Sequence, residues 1–165
     1  LMVYMIPRTL LLIGLFLTLA KLHLINKLTG LVIAYAATGL TLSIWWLKGY
    51  FDSIPVAVEE QAMVDGCSRM GAVRRIILPL SMPAVISVGL FQFVDFWNEF
   101  MIALTILQTA RLRTLPVQIV FFMGIQRVEW GNVSAFSMIV AVPAIILFGF
   151  AQRNMVSGLM SGFSK

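Results

Sequence analysis

Four apolar blocks alternate with polar stretches along the chain, and the blocks set the expected architecture. A membrane-crossing helix needs about 20 mostly apolar residues. The first block, 2–20, reads MVYMIPRTLLLIGLFLTLA and is interrupted by Pro7 and Arg8, so its unbroken part is short. The second, 30–47, reads GLVIAYAATGLTLSIWWL. Trp45, Trp46 and Tyr50 fall near its end, where an interfacial aromatic belt belongs. The third, 82–107, reads MPAVISVGLFQFVDFWNEFMIALTIL, and the fourth, 134–151, reads SAFSMIVAVPAIILFGFA. KLHLINKLTG predicts a short turn between the first two. QTARLRTLPVQIVFFMGIQRVEWGNV, between the last two, carries its own apolar patch and is expected to re-enter the membrane edge or pack on the bundle.

The most polar run, EEQAMVDGCSRMGAVRRIILPLSMP over 59–83, lies between the second and third blocks. Pro55 pre-sets φ for a first helical turn, and Asp52 or Ser53 can supply the acceptor at its start. VAVEEQAMV then reads as a helix, with Glu59 and Glu60 toward its electropositive end. Gly66 marks the turn past that helix. Ser68 caps a second helix, RMGAVRRIIL, which Pro79 is expected to stop. Met70, Val73 and Ile77 line one face of it, flanked by Arg74 and Arg75. A plain connector needs about 4 to 6 residues. Two capped helices with an apolar face instead suit a docking surface.

The third block holds Gln92, Asp95, Asn98 and Glu99, which fall within roughly 120° of arc on a continuous helix. A carboxylate at mid-bilayer costs about 2.5 to 3.5 kcal/mol on insertion scales, so these residues face the bundle interior or a watery path. Phe93, Phe96 and Trp97 lie beside them. Apolar ring faces with polar partners suit sugars. Two readings stand: a solute path, or polar glue between helices. Pro83 and Pro143 are kinks or helix starts, and His23 is a surface residue.

Composition agrees with the blocks. The 165 residues are 60% hydrophobic and 12% charged, against about 25% charged in a soluble domain. The net charge of +5 comes from short loops, which membrane topology explains better than nucleic acid. Arg8, Lys48, Arg69, Arg74, Arg75, Arg153 and Lys165 lie on one side; Lys21, Lys27, Arg111, Arg113 and Arg127 lie on the other. The bias places the 48–81 region and the C-terminus in the cytoplasm. One cysteine, Cys67, excludes an internal disulfide. There is no phosphate-binding loop, catalytic triad or metal cluster, so neither an enzyme nor a cofactor site is expected.

The 60–79 run resembles the E-A-A-x3-G-x9-I-x-L-P loop of the permease subunits of ATP-binding-cassette importers. Glu60, Gln61, Ala62, Gly66, Ile76, Ile77, Leu78 and Pro79 match it, with Gln61 replacing an Ala. IWWLKGYFDSIPVAVEEQAMVDG, FVDFWNEFMIAL and RTLPV resemble the maltose-type sugar permeases, whereas the tail GLMSGFSK departs from them. The resemblance implies an all-α membrane protein, a multi-span helical bundle of the type I importer kind, with about four of six spans present. The chain is then one permease domain over 1–165, truncated at its N-terminus, with a cytoplasmic coupling loop over 52–80. Glu59, Glu60, Ala62, Asp65, Gly66, Ser68, Ile76, Leu78 and Pro79 would engage the ATPase: Glu60 by polar contacts, Asp65 by supporting the turn, Gly66 by permitting it. Gln92, Phe96, Trp97, Asn98 and Glu99 would line the substrate path. The implied partners are a dimer of ATPase subunits, a second permease, an extracytoplasmic solute-binding protein, which Trp130 and Gly131 would meet, the bilayer of the cell membrane and a sugar. Another polar solute, such as a polyamine or sugar phosphate, and an ion-coupled carrier relaying protons through Asp95 and Glu99 are the alternatives.

Overall fold

The computed structural model describes residues 7–123 and 128–162, and side chains, that of Arg8 apart, only as far as residue 149. Residues 2–6 of the first block, Arg127 and Lys165 lie outside the described residues, as do the side chains of the terminal segment. The described residues form helices α1 (Arg8–Lys21), α2 (Leu28–Asp52), α3 (Val56–Val64), α5 (Met101–Ile106), α6 (Leu115–Phe122) and α7 (Trp130–Gly162). Between α3 and α5 runs α4, Arg69–Trp97.

Among the described residues, three helices are long and apolar enough to cross a bilayer: Leu28–Asp52, Arg69–Trp97 and the Trp130–Gly149 part of α7. Among the described residues, the first block yields a helix of 14 residues, Arg8–Lys21, about 21 Å at 1.5 Å per residue, against about 30 Å of hydrocarbon. The 29 residues of α4 span about 43 Å. That excess lets its first two turns stand clear of the bilayer and carry Arg74 and Arg75 into the headgroup zone.

Pro79 does not stop the second short helix. Residues Val73–Ile77 form a π turn, in which the Leu78 N–H donates to the Val73 carbonyl five residues back. A new α register starts at Leu78 and places Pro79 in its first turn, where its missing N–H does little harm. The two predicted elements on either side of Pro79 are therefore one helix. Asp52 and Ser53 do not cap α3 either, because α2 runs on through Asp52. Asp52 pairs with Lys48 one turn back, and the Ser53 hydroxyl donates to the Tyr50 carbonyl.

The third block is broken where the sequence predicts continuity. α4 ends at Trp97, and α5 is a separate short helix. The core forms around this break. Leu19, Leu31, Ala34, Ile102, Ala103, Ile106, Leu107 and Val117 make one buried cluster drawn from α1, α2, α5 and α6. It lies at one end of the bundle, while the α3 turn lies at the other. A latch holds the cluster: Asn26, at φ 60°, donates its N–H to the Ile106 carbonyl at 2.9 Å. Its side chain accepts from the Thr109 N–H at 3.0 Å. The long loop before α7 packs on the bundle, with Val117 fully buried and Phe122 edge-on to Phe136 of α7.

Candidate functional site

The helix–turn–helix over 56–77 forms as the sequence predicts. Gly66 has φ +85°, a left-handed conformation that glycine adopts without a Cβ penalty. The Ser68 side chain accepts from the Gly71 N–H at 3.1 Å and caps the start of α4. Glu59 receives the Arg69 Nε at 2.9 Å, tying α3 to α4 across the turn. Ala62 and Ala72 are fully buried, so the two helices meet through small side chains. Asp65 closes α3, its N–H donating to the Gln61 carbonyl.

The outer surface of this pair is open and mixes apolar with charged side chains. Val56, Met63, Val64, Met70 and Val73 are exposed, Val64 at 86%. Glu60 is exposed among them, and Ile76 is half-buried. Leu78 and Pro79 are exposed one turn further along α4, where it enters its apolar stretch.

The five residues predicted to line a path divide into three settings. Gln92 joins helices: its amide donates to the Gly39 carbonyl at 3.0 Å and to Ser43 Oγ at 2.9 Å, both on α2. Gly39 is required there, since a Cβ would lie 2.5 Å from Phe96 Cζ. Asn98 and Glu99 make the break in the third block. The Asn98 amide donates to the Val94 carbonyl at 2.8 Å, closing α4. Buried Glu99 accepts from the Ile102 and Ala103 N–H groups at 2.7 and 3.0 Å, opening α5. The Tyr35 hydroxyl of α2 donates to the same carboxylate at 3.0 Å. The expected single face over Gln92, Asp95, Asn98 and Glu99 is therefore interrupted, because the helix that would continue it ends at Trp97.

Phe96 and Trp97 line a cavity of about 450 Å³ with Tyr35, Phe93, Arg113 and Thr114. Phe96 stacks on Tyr35 with ring centroids 4.6 Å apart, and Trp97 on Phe93 at 5.3 Å. The Trp97 indole N–H donates to the Val140 carbonyl of α7 at 2.9 Å. That carbonyl neighbours the one at Ile139 that Pro143, lacking an N–H, leaves without its helical donor. Asn98 and Glu99 border a different cavity, with Asp95, Phe91 and Met101. Tyr35, Arg113 and Thr114 were not among the residues predicted to line the path. Tyr35 is a polar-tipped aromatic inside an apolar span, which was its available signal. Arg113 and Thr114 belong to the RTLPV run, which carries part of the family resemblance. Among the described residues, no cluster of His, Cys, Asp or Glu could hold a metal ion.

Long apolar helices with a capped helix pair at one end define a helical membrane protein. Residues 1–161 match the family described as "Binding-protein-dependent transport system inner membrane component". The chain belongs to that family, the permeases of binding-protein-dependent ABC transporters. It is 41% identical over 162 residues to the trehalose/maltose transport system permease protein MalG of Thermococcus litoralis, covering 98% of this chain and 58% of that one. It is 38% identical over 159 residues to the sulfoquinovosyl glycerol transport system permease protein SmoH of Agrobacterium fabrum, covering 96% and 56%. It is 36% identical over 161 residues to the diacetylchitobiose uptake system permease protein DasC of Streptomyces coelicolor, covering 98% and 58%. The chain thus spans a little over half the length of these relatives.

Proposed function

We propose that this chain is part of the permease subunit of an ATP-driven importer that passes a sugar through the cell membrane into the cytoplasm. The observation that carries the reading is the capped helix pair over 56–77, with its open face around Glu60 and Gly66. An ion-coupled carrier has no use for such a surface. We place this pair in the cytoplasm, docked in an ATPase subunit, with Glu59, Glu60, Ala62, Asp65, Gly66, Ser68, Ile76, Leu78 and Pro79 forming or supporting the contact. ATP binds the closed ATPase dimer better than the open one, and that difference drives the spans between inward- and outward-open states. A second permease and an extracytoplasmic binding protein complete the complex. The sugar reading is supported by the aromatic cavity and by the substrates named for relatives: trehalose or maltose, diacetylchitobiose and sulfoquinovosyl glycerol.

The test is uptake into proteoliposomes holding the full-length permease, its partner permease, the ATPase and the binding protein. The panel is radiolabelled maltose, trehalose, diacetylchitobiose, glycerol 3-phosphate and putrescine. ATP-dependent uptake of a disaccharide, indifferent to a protonophore, is expected. Uptake of putrescine or glycerol 3-phosphate alone would reject the sugar, and uptake driven by a proton gradient without ATP would reject the importer.

A further inference from the structure

Two arginines near the start of α4 are unopposed. Arg74 and Arg75 are both exposed. Neither has an ion-pair or side-chain hydrogen-bond partner among the described residues. Two other cations of that end are already met, Arg69 by Glu59 and Lys48 by Asp52. The Tyr50 hydroxyl donates to the Leu80 carbonyl at 3.3 Å. The end of α2, with its interfacial Trp45, Trp46 and Tyr50, therefore lies about level with Leu80. Arg75 stands about 7.5 Å further out along α4. The headgroup layer is about 5 to 7.5 Å deep on each side of the hydrocarbon, so both guanidinium groups reach it.

Below the arginines runs an apolar row. Leu78, Met82 and Ile86 follow Arg74 at four-residue spacing, which keeps them on one face of the helix. All three are exposed, at 44, 44 and 37%. A side chain at Gly89, past the end of the row, would also meet open space. The π turn at Val73–Ile77 has more residues per turn than an α-helix. Neighbours in it are separated by less than the usual 100°, so Arg74 and Arg75 both sit close to the head of the row. Charge and row together ask for one occupant with an anionic head and an apolar tail. A guanidinium matches a phosphate bidentately. Each arginine near an anionic lipid surface favours binding about fivefold. An acidic protein surface would answer the arginines but not the row, which runs on into the bilayer-length part of α4. A zwitterionic lipid would answer the row and leave the two charges unbalanced.

We propose that Arg74 and Arg75 hold the headgroup of an anionic phospholipid whose acyl chain lies along Leu78, Met82 and Ile86. The lipid covers α4 where it leaves the helix pair, the π turn included. Leu78 then supports the ATPase contact from the lipid side rather than by touching that subunit. The assignment rests on α4 crossing the bilayer, and not on which solute passes or which subunit docks.

The test places the full-length permease, with its partner permease and ATPase, in phosphatidylcholine nanodiscs holding a minor share of phosphatidylglycerol. Native cysteines, Cys67 included, are replaced by serine, and a fluorophore is attached at Met82→Cys. Its quenching by brominated chains on phosphatidylglycerol is compared with quenching by the same share of brominated chains on phosphatidylcholine. A preference for phosphatidylglycerol of about twentyfold is expected. Arg74→Gln and Arg75→Gln should each lower it about fivefold. The double change to lysine should keep part of it, since the charge remains without the fork. Co-purified ATPase reports that each variant folds and assembles. Equal quenching by both lipids, quenching by neither, or a preference that survives both glutamine changes would overturn the site. Loss of ATPase capture in the glutamine variants with the preference intact would give the arginines to that subunit and likewise overturn it. The lipid readout needs no bound ATPase, so it stands if the docking reading fails.

Discussion

Glu99 shows how one buried carboxylate in an apolar run is tolerated. It accepts two backbone N–H groups and a phenol, so its charge is met by three donors. Replacing it with Ala removes the acceptor at the start of α5 and leaves those donors buried. A loss of about 2 to 3 kcal/mol is expected, read as a lower unfolding temperature of the detergent-solubilised full-length protein. Tyr35→Phe removes one donor only and should cost about 1 kcal/mol. In a double-mutant cycle the two losses should be less than additive. Gly66 answers to a different constraint. A Cβ there meets open space, but the φ of +85° strains any side-chain-bearing residue. Gly66→Ala should weaken the turn by about 1 to 2 kcal/mol and reduce ATPase co-purification without lowering membrane insertion.

Among the elements, the α2–α4 contact is set by one glycine. Gly39 lets Phe96 lie against α2, and Gln92, one turn before Phe96, ties the two helices at Gly39 and Ser43. Gly39→Leu should push Phe96 off Tyr35 and lower the unfolding temperature. Phe96→Ala in the same chain should restore part of the loss, since it returns the volume that the leucine takes. The helix pair was legible from sequence because its signals are local: a proline, a run of helix formers, a glycine and a capping serine. Pro79 misled because a proline reads as a stop, whereas the π turn before it shifts the register and carries α4 onward. The break at Asn98 was hidden by an apolar pattern that continues on both sides. Its signal was present in Asn98, a residue type that often closes a helix, and in a carboxylate set just before the Ile102 and Ala103 N–H groups.

For the whole molecule, the apolar blocks gave the membrane class and the order of helices, and the 60–79 pattern gave the family. The cavity was only half legible. Phe96 and Trp97 stood out in sequence, but Tyr35 and Arg113 reach it through packing between segments far apart in the chain. Opposite ends follow from the helix order: the 56–77 pair and the described 98–123 part of the connection before α7 lie at opposite ends of the bundle. In right-side-out vesicles, Val64→Cys should resist an impermeant maleimide while a cysteine at Trp130, an exposed residue at the start of α7, reacts. The reverse pattern would invert the proposed topology.

The central claim is that the helix pair docks an ATPase. Its most direct test is co-purification of the organism's ATP-binding subunits with the full-length permease from membranes, comparing wild type with Glu60→Arg and Gly66→Pro. Strong capture by wild type, lost in both variants while permease abundance holds, is the predicted result. No capture by wild type, or capture indifferent to both changes, would contradict it.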